Sequence, residues 1–381
     1  MNYSLFSKLS ARYHQTLAGW LDGFILRSHD RIVSRQQNTM PPHLPELASF
    51  DHQPIAQLFP SPPPVPLDYI RGAAWEQRGR IWRRDFAFPS SVFTEHEHNR
   101  RVIAQTYAND RALHFPAVIV LHGWMTPTMI AYRPFCRAIA EAGASAYVLE
   151  LPYHLRRTPP GFVSGELFFT ADFDKNWTTM QQAVADVRQL IQYLREAGAP
   201  VIGVLGFSLG AWISAIVASC EPELDFALFA MLPACINDLV WQTRLGEPWR
   251  RQLEAAGLNA AATAPLYQLI DPVNLKPLTP PERRELFAAA FDHFMPAQHT
   301  QMLRDAWEQP HLHVYSSGHI GLLWSRKFLR DVRQSLARQL ALGRRQKTPL
   351  TVVTDETMQK LPQFTTSATT IEREPQFALK K

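Results

Sequence analysis

The sequence predicts an α/β fold in which a mostly parallel sheet is covered by helices on both faces. Three observations carry that reading. From residue 116 onward continuous apolar runs alternate with helical patterns, as expected of strands buried between two helical layers. The run Val201 to Leu205 leads directly into Gly206-Phe207-Ser208-Leu209-Gly210 and then into the helical stretch Ala211 to Ser219. Of 381 residues, 46% are hydrophobic and only 19% charged, which is enough for one large core with appendages.

Composition narrows the function classes. The net charge is +5, but arginine is scattered and forms no basic stripe, so no nucleic-acid partner is expected. Cys136, Cys220 and Cys235 form no C-x-x-C pair, which argues against a disulfide framework or a zinc site and favours a reducing, cytoplasmic setting. The most apolar run near the amino terminus, Leu17 to Leu26, is broken by Asp22, Gly19 and Gly23, so no secretory signal is expected. No run approaches the roughly 18 apolar residues of a membrane-spanning helix.

In chain order, Leu5, Leu9, Tyr13, Leu17, Leu21 and Ile25 recur at i+4, so residues 3–35, within a segment 1–39, read as an amphipathic helix or pair. Lys8, Arg12, Arg27, Arg31 and Arg35 give it a basic side. Packing on the main domain is preferred over attachment to a membrane surface or partner, which such helices also provide. Residues 40–79 contain a proline-rich stretch and read as an extended connector. The main domain spans 80–342. Arg80 to Pro89 and Arg101 to Tyr107 suit antiparallel edge strands. Then come the strand Pro116 to Trp124, the helix Arg133 to Ala142, the strand Ser145 to Pro152 and the long helix Trp177 to Ala197. Gly198 and Pro200 stop that helix. The Ser208 turn follows, then the strand Asp225 to Leu232 and a Leu-, Trp- and Ala-rich insertion over 235–283. Arg284 to Asp292 reads as a strand, Gln298 to Trp307 as a helix, His311 to His319 as the last strand and Ile320 to Leu342 as the closing helix. Residues 343–381 carry no period and read as a disordered tail.

G-x-S-x-G between a buried strand and a helix is the pattern of a nucleophile elbow, which presents a serine on a tight, strained turn. A serine needs a base to take its proton, and the base needs an acid to hold its tautomer. Candidates for both follow Ser208 at carboxyl ends of later strands, where open α/β sheets place their ligands. His319, in Ser-Ser-Gly-His past the final strand, is the candidate base. Asp292, ahead of His293-Phe294-Met295-Pro296, is the candidate acid, with Asp238 as rival and Asp271 behind both. Two backbone N–H groups should hold the oxyanion. One is that of Leu209; the other belongs to Trp124 or Met125, after His122-Gly123. His122 is expected to orient that loop. His311 and His313 form an H-x-H pair at the wrong end of their strand, so no metal is assigned.

Strand-His-Gly-Trp, strand-GFSLG-helix, strand-FDHFMP and strand-SSGH, in that order, resemble the alpha/beta-hydrolase superfamily over roughly residues 80–342. Leu151 to Glu166, with its Arg-Arg-Thr-Pro and Ser-Gly-Glu, further resembles a poorly characterised branch of alpha/beta-hydrolase domain-containing proteins. The resemblance implies about eight strands, a Ser208–Asp292–His319 triad and a lid at 235–283, with no cofactor. It implies no particular substrate, because the scaffold hosts many chemistries. The expected activity is hydrolysis of a small-molecule carboxylic ester, ahead of a thioester or amide. Acyl transfer by the same triad and a non-catalytic binding or scaffold role are the alternatives. Arg156 and Arg157, in a long loop, are candidate contacts for an anionic part of the substrate.

Overall fold

The computed structural model describes residues 15–23, 26, 27, 30, 54–65, 71–110, 115–170 and 172–346. The remaining parts of the amino-terminal segment and connector, and residues 347–381 of the tail, lie outside the described residues. Helix α1 covers residues 15–23, and α2 is Ile55–Leu58. Four strands open the sheet: β1 Arg71–Gly72, β2 Glu76–Arg78, β3 Ile81–Pro89 and β4 Arg101–Ala108. The alternating part then runs β5 Ala117–Leu121, α3 Arg133–Glu141, β6 Ser145–Leu149, α4 Phe173–Glu196, β7 Ile202–Phe207, α5 Leu209–Cys220 and β8 Phe226–Ala230. The insertion folds as α6 Ile236–Gln242, α7 Glu247–Ala255 and α8 Ala260–Gln268. The chain returns through β9 Arg284–Ala289, α9 Ala297–Ala306, β10 His311–Tyr315, α10 His319–Leu322 and α11 Arg326–Gln346.

These strands form one open sheet of ten in the order β1-β3-β4-β6-β5-β7-β8-β9-β10, with β2 also paired to β3. Pairing is antiparallel from β1 to β6 and parallel from β6 to β10. The count exceeds the expected eight because two short strands, β1 and β2, extend the antiparallel edge. They also start the sheet ahead of the residue-80 boundary. Neither carries the alternating apolar pattern that would have revealed it: β2 is exposed along its length.

The central parallel strands, β5 to β8, read as unbroken apolar runs because both their faces are covered. Ile119 and Leu121 of β5 pack into a core shared with α4 and α5, while Val118 and Val120 pack into a second core shared with α3 and α11. The expected closing helix is split, since residues 323–325 interrupt it between α10 and α11.

The proline-rich connector, where described, wraps α4. Arg188 donates to the carbonyl of Phe59 at 2.7 Å, and Gln181 donates to that of Leu58 at 3.0 Å. Prolines lack the N–H that a strand would require, so the segment is held by side chains of the helix beneath it. On α1, Ala18 and Asp22 are buried while Leu17 and Trp20 stay exposed, so the helix packs one edge onto the domain. Among the described residues no helix is long and apolar enough to cross a membrane.

Candidate active site

Sheet order locates the site before any side chain is considered. The chain passes from β5 outward to β6 and then back across to β7, so the connections after β5 and β7 leave in opposite directions. The crevice at the carboxyl ends of such a pair is where open α/β sheets bind ligands. Leu121 and Gly206 are register partners there, which brings the His122-Gly123-Trp124 loop beside Ser208.

Ser208 sits between β7 and α5 with φ 53° and ψ −115°, a conformation that non-glycine residues adopt only under constraint. Its flanking glycines are required by space. A Cβ on Gly206 would lie 2.4 Å from the carbonyl oxygen of Gly210, and a Cβ on Gly210 would lie 2.3 Å from that of Leu121. The turn therefore aims Ser208 into the crevice while its backbone is clamped between the first turn of α5 and the end of β5.

Asp292 and His319 follow the adjacent parallel strands β9 and β10. Nδ1 of His319 lies 2.7 Å from Oδ2 of Asp292, and both side chains are almost wholly buried. Oδ1 of Asp292 accepts N–H groups of Phe294 and Met295, each at 2.8 Å. The Phe294 ring stacks on the imidazole at 4.6 Å. Burial alone would lower the pKa of His319, but the charge and hydrogen bond of Asp292, joined by the charge of Asp22, outweigh it and raise the imidazole above its ordinary value.

Ser208 and His319 line one cavity of about 550 Å³. The structure draws no hydrogen bond between them; such bonds are often long before substrate binds and tighten afterwards. The cavity wall is aromatic. Trp124 from the loop after β5 meets Trp249 of α7 at 5.2 Å and Phe169 at 5.8 Å, and Phe169 stacks with Trp212 of α5 at 5.9 Å. The inserted helices thus roof the crevice. Val240, Leu253 and Leu266 form a small core of their own with Phe173 at the start of α4.

His122 is buried, with Nδ1 at 2.8 Å from the Gly123 carbonyl and Nε2 accepting from the Leu151 amide. Burial depresses its pKa to about 4, so it stays neutral and orients the loop. His154 repeats the pattern. Its Nδ1 faces the Pro152 carbonyl and its Nε2 accepts the Met125 N–H at 3.1 Å. The Met125 amide is thereby engaged, which corrects its candidacy as an oxyanion donor. The Gly123 amide is likewise engaged, with the hydroxyl of Tyr132.

Residues 118–362 match the model of the alpha/beta hydrolase family, nearly two thirds of the chain. The chain belongs to the alpha/beta hydrolase family. An uncharacterised protein of Mycobacterium tuberculosis strain H37Rv is 28% identical over 297 residues, covering 73% of this chain and 69% of that protein. This accords with the poorly characterised branch suggested by Leu151 to Glu166. Among solved structures, acetyl xylan esterase 1 from Thermoanaerobacterium sp. JW/SL YS485 overlays with a TM-score of 0.55 at 15% identity, covering 75% of this chain and 99% of that one. An acetyl xylan esterase from Paenibacillus sp. R4 gives 0.53 at 13% identity, with 74% and 99% covered. At such identities the likeness speaks to the fold.

Within this alpha/beta hydrolase, several other expectations are corrected. Arg156 and Arg157 do not line the cavity. Arg157 is fully buried, ion-paired with Asp186 at 2.8 Å and donating to the carbonyls of Glu150 and Asn99. Arg156 is held between Glu150 and Asp85. A long loop needs internal anchors to be ordered at all, and both guanidinium groups serve that purpose. Asp238 lies on α6 with Oδ2 3.7 Å from Nε2 of His299, away from His319. Asp271 accepts the Ile236 amide at 2.6 Å at the start of α6, and burial raises its carboxyl to about 7. Glu285, His311 and His313 form a grouping whose ligand atoms lie within 4.8 Å of one another, at the sheet edge. Ser335, Arg338 and Gln339 already donate to Glu285, so an arginine charge occupies the place a cation would take.

Proposed function

We propose that this alpha/beta hydrolase is a serine esterase whose substrate carries a bulky apolar group. One observation carries the reading: the His319–Asp292 pair and the constrained Ser208 converge on a single aromatic-lined cavity. Oγ of Ser208 attacks the ester carbonyl carbon while its proton passes to Nε2 of His319. Asp292 holds Nδ1–H and balances the imidazolium. The N–H of Leu209, with that of Trp124, receives the oxyanion; the assignment passes to Trp124 because the Met125 amide serves His154. Collapse breaks the ester C–O bond, and the departing alkoxide takes the proton from His319. Water then attacks the acyl-enzyme and gives a proton to His319; collapse breaks the bond to Oγ of Ser208, which takes that proton back as the acid leaves.

The wall favours apolar acyl or alcohol groups, because burying apolar surface contributes about 25 cal/mol per Å². Neither Arg156 nor Arg157 reaches the cavity, so no anionic substrate group is called for. A fluorophosphonate probe should label wild type at Ser208, and labelling of the Ser208→Ala variant at the wild-type rate would sink the reading. The roofed, apolar cavity also supports acyl transfer to an alcohol in place of water. Product analysis with competing alcohols separates the two, since transfer yields a new ester and hydrolysis yields only acid.

A further inference from the structure

We propose that Asp22 is a positioning residue for His319, making the amino-terminal helix α1 part of the frame of the active site. The proposal rests on the serine-hydrolase reading above. Asp22 is fully buried. Its Oδ2 accepts the backbone N–H of His319 at 3.1 Å and that of His293 at 3.3 Å, and its Oδ1 accepts the N–H of Ile320 at 3.1 Å. Those three amides belong to the two loops that carry the chemistry: one bears the base, and the other continues directly from Asp292. A single carboxylate, 297 residues upstream of His319, therefore staples both loops together.

The packing around it is built for that contact. A Cβ on Gly318 would lie 2.6 Å from Cβ of Ala18 and 2.8 Å from Oδ2 of Asp22. No side chain fits between α1 and the backbone that precedes His319. On α1 itself, a Cβ on Gly19 would stand 3.4 Å from Nε2 of His293, so the helix approaches the acid's loop closely as well. Hydrogen bonds and close packing thus converge on one place from independent residues. Asp292 fixes the imidazole ring through Nδ1, and Asp22 fixes the backbone from which the ring hangs.

The groups facing Asp22 define its electrostatics. His319 and Asp292 lie ahead of it, while the rings and chains of His293, Arg244 and Gly23 surround a small hollow beside α1. Burial raises the Asp22 carboxyl; the amides of Ile320 and His319 and the charge of His319 pull it down, Asp292 pushes it up, and the net is upward. Its negative charge nevertheless adds to that of Asp292 in favouring the protonated imidazole.

The test compares wild type, Asp22→Asn, Gly318→Ala and the double variant in p-nitrophenyl ester hydrolysis. It records kcat, KM, pH profile and Tm, with the His319 ring titrated by NMR. Displacing a catalytic group by about 1 Å costs on the order of 100-fold, so each single variant should lose about 10- to 100-fold in kcat with KM within about twofold. The double variant should lose no more than the worse single one, because both break the same contact. Asp22→Asn should also move the acidic limb and the His319 titration to lower pH. A lowered Tm with kcat and both midpoints unchanged means a merely structural helix and overturns the proposal. If wild type neither labels nor hydrolyses esters, the hydrolase reading fails, and the NMR titration decides alone: a His319 midpoint unmoved by Asp22→Asn overturns the positioning role.

Discussion

Oδ2 of Asp292 meets Nδ1 of His319 at 2.7 Å while Oδ1 of the same carboxylate accepts two backbone amides. The acid is therefore held at both oxygens and cannot rotate away from the imidazole without breaking three hydrogen bonds. That constraint selects one tautomer of His319, with Nε2 turned toward the cavity as acceptor.

Replacing Asp292 with asparagine keeps the shape and removes the charge. The amide group would present N–H to Nδ1 or displace one of the two backbone donors, and the wrong tautomer would follow. By the effect of such replacements in Ser-His-Asp sites, kcat should fall by about 1,000- to 10,000-fold with the protein still folded. Asp238→Asn should leave kcat within about threefold, since Asp238 faces His299. Equal losses in the two variants would be incompatible with the assigned triad.

The acid limb of activity follows from the sign of the His319 shift. Its pKa is raised above the ordinary 6.5, so the imidazole holds its proton to higher pH than a free histidine. A protonated ring accepts nothing from Ser208. Activity should rise with pH through a midpoint above 6.5, measured as kcat/KM of the free enzyme. The same shift means that His319 favours the folded state fully below its unfolded pKa, and that this contribution is lost as pH climbs through the folded value. A midpoint below 6.5 would show that burial, not the two carboxylates, dominates the ring.

The two loop arginines should behave differently from each other and neither as a substrate contact. Arg157→Met strands Asp186 in the interior without its cation, and breaking a buried pair in this way costs about 3–5 kcal/mol. A large drop in Tm is expected. Arg156 is partly exposed but its partner Glu150 is buried, so Arg156→Ala should cost about 1–3 kcal/mol, less than Arg157→Met. For both, the KM ratio between an anionic and a neutral ester of equal size should stay as in wild type. A selective rise in KM for the anionic ester would return these arginines to the binding site.

The parts of this molecule legible in the sequence are those with short-range causes. Gly206-x-Ser208-x-Gly210 declares itself because the elbow excludes side chains on both sides, and β5 to β8 because burial on two faces leaves unbroken apolar runs. Asp292 and His319 are legible from their position at the carboxyl ends of later strands, and the structure brings them into contact. What stayed hidden depends on long-range contact. Nothing local marks Asp22, which meets its partners through the docking of α1. Nothing local marks His154 either, although Pro152 and Met125 give it the same bonded arrangement as His122. The arginines misled because two adjacent cations in a long loop look available until their partners Asp186, Glu150 and Asp85 are seen.

Trp249 connects the roof to the loop after β5 and so tests what the cavity is for. Its ring stands 5.2 Å from Trp124 and 5.8 Å from Phe169, closing the apolar wall over Ser208. With the acyl chain of the proposed substrate lying along this wall, Trp249→Ala removes apolar surface that should matter more for a long acyl chain than for an acetyl group. For p-nitrophenyl esters, kcat/KM with an octanoyl chain should fall by about 10- to 100-fold, and with an acetyl chain by no more than about threefold. The slope of log kcat/KM against chain length therefore flattens. A uniform fall across all chain lengths would mean that Trp249 acts through Trp124 on the oxyanion loop, and no change at any length would mean that the substrate's apolar group lies elsewhere. Either result would take the substrate's apolar group away from the roof at Trp249 while leaving the triad untouched.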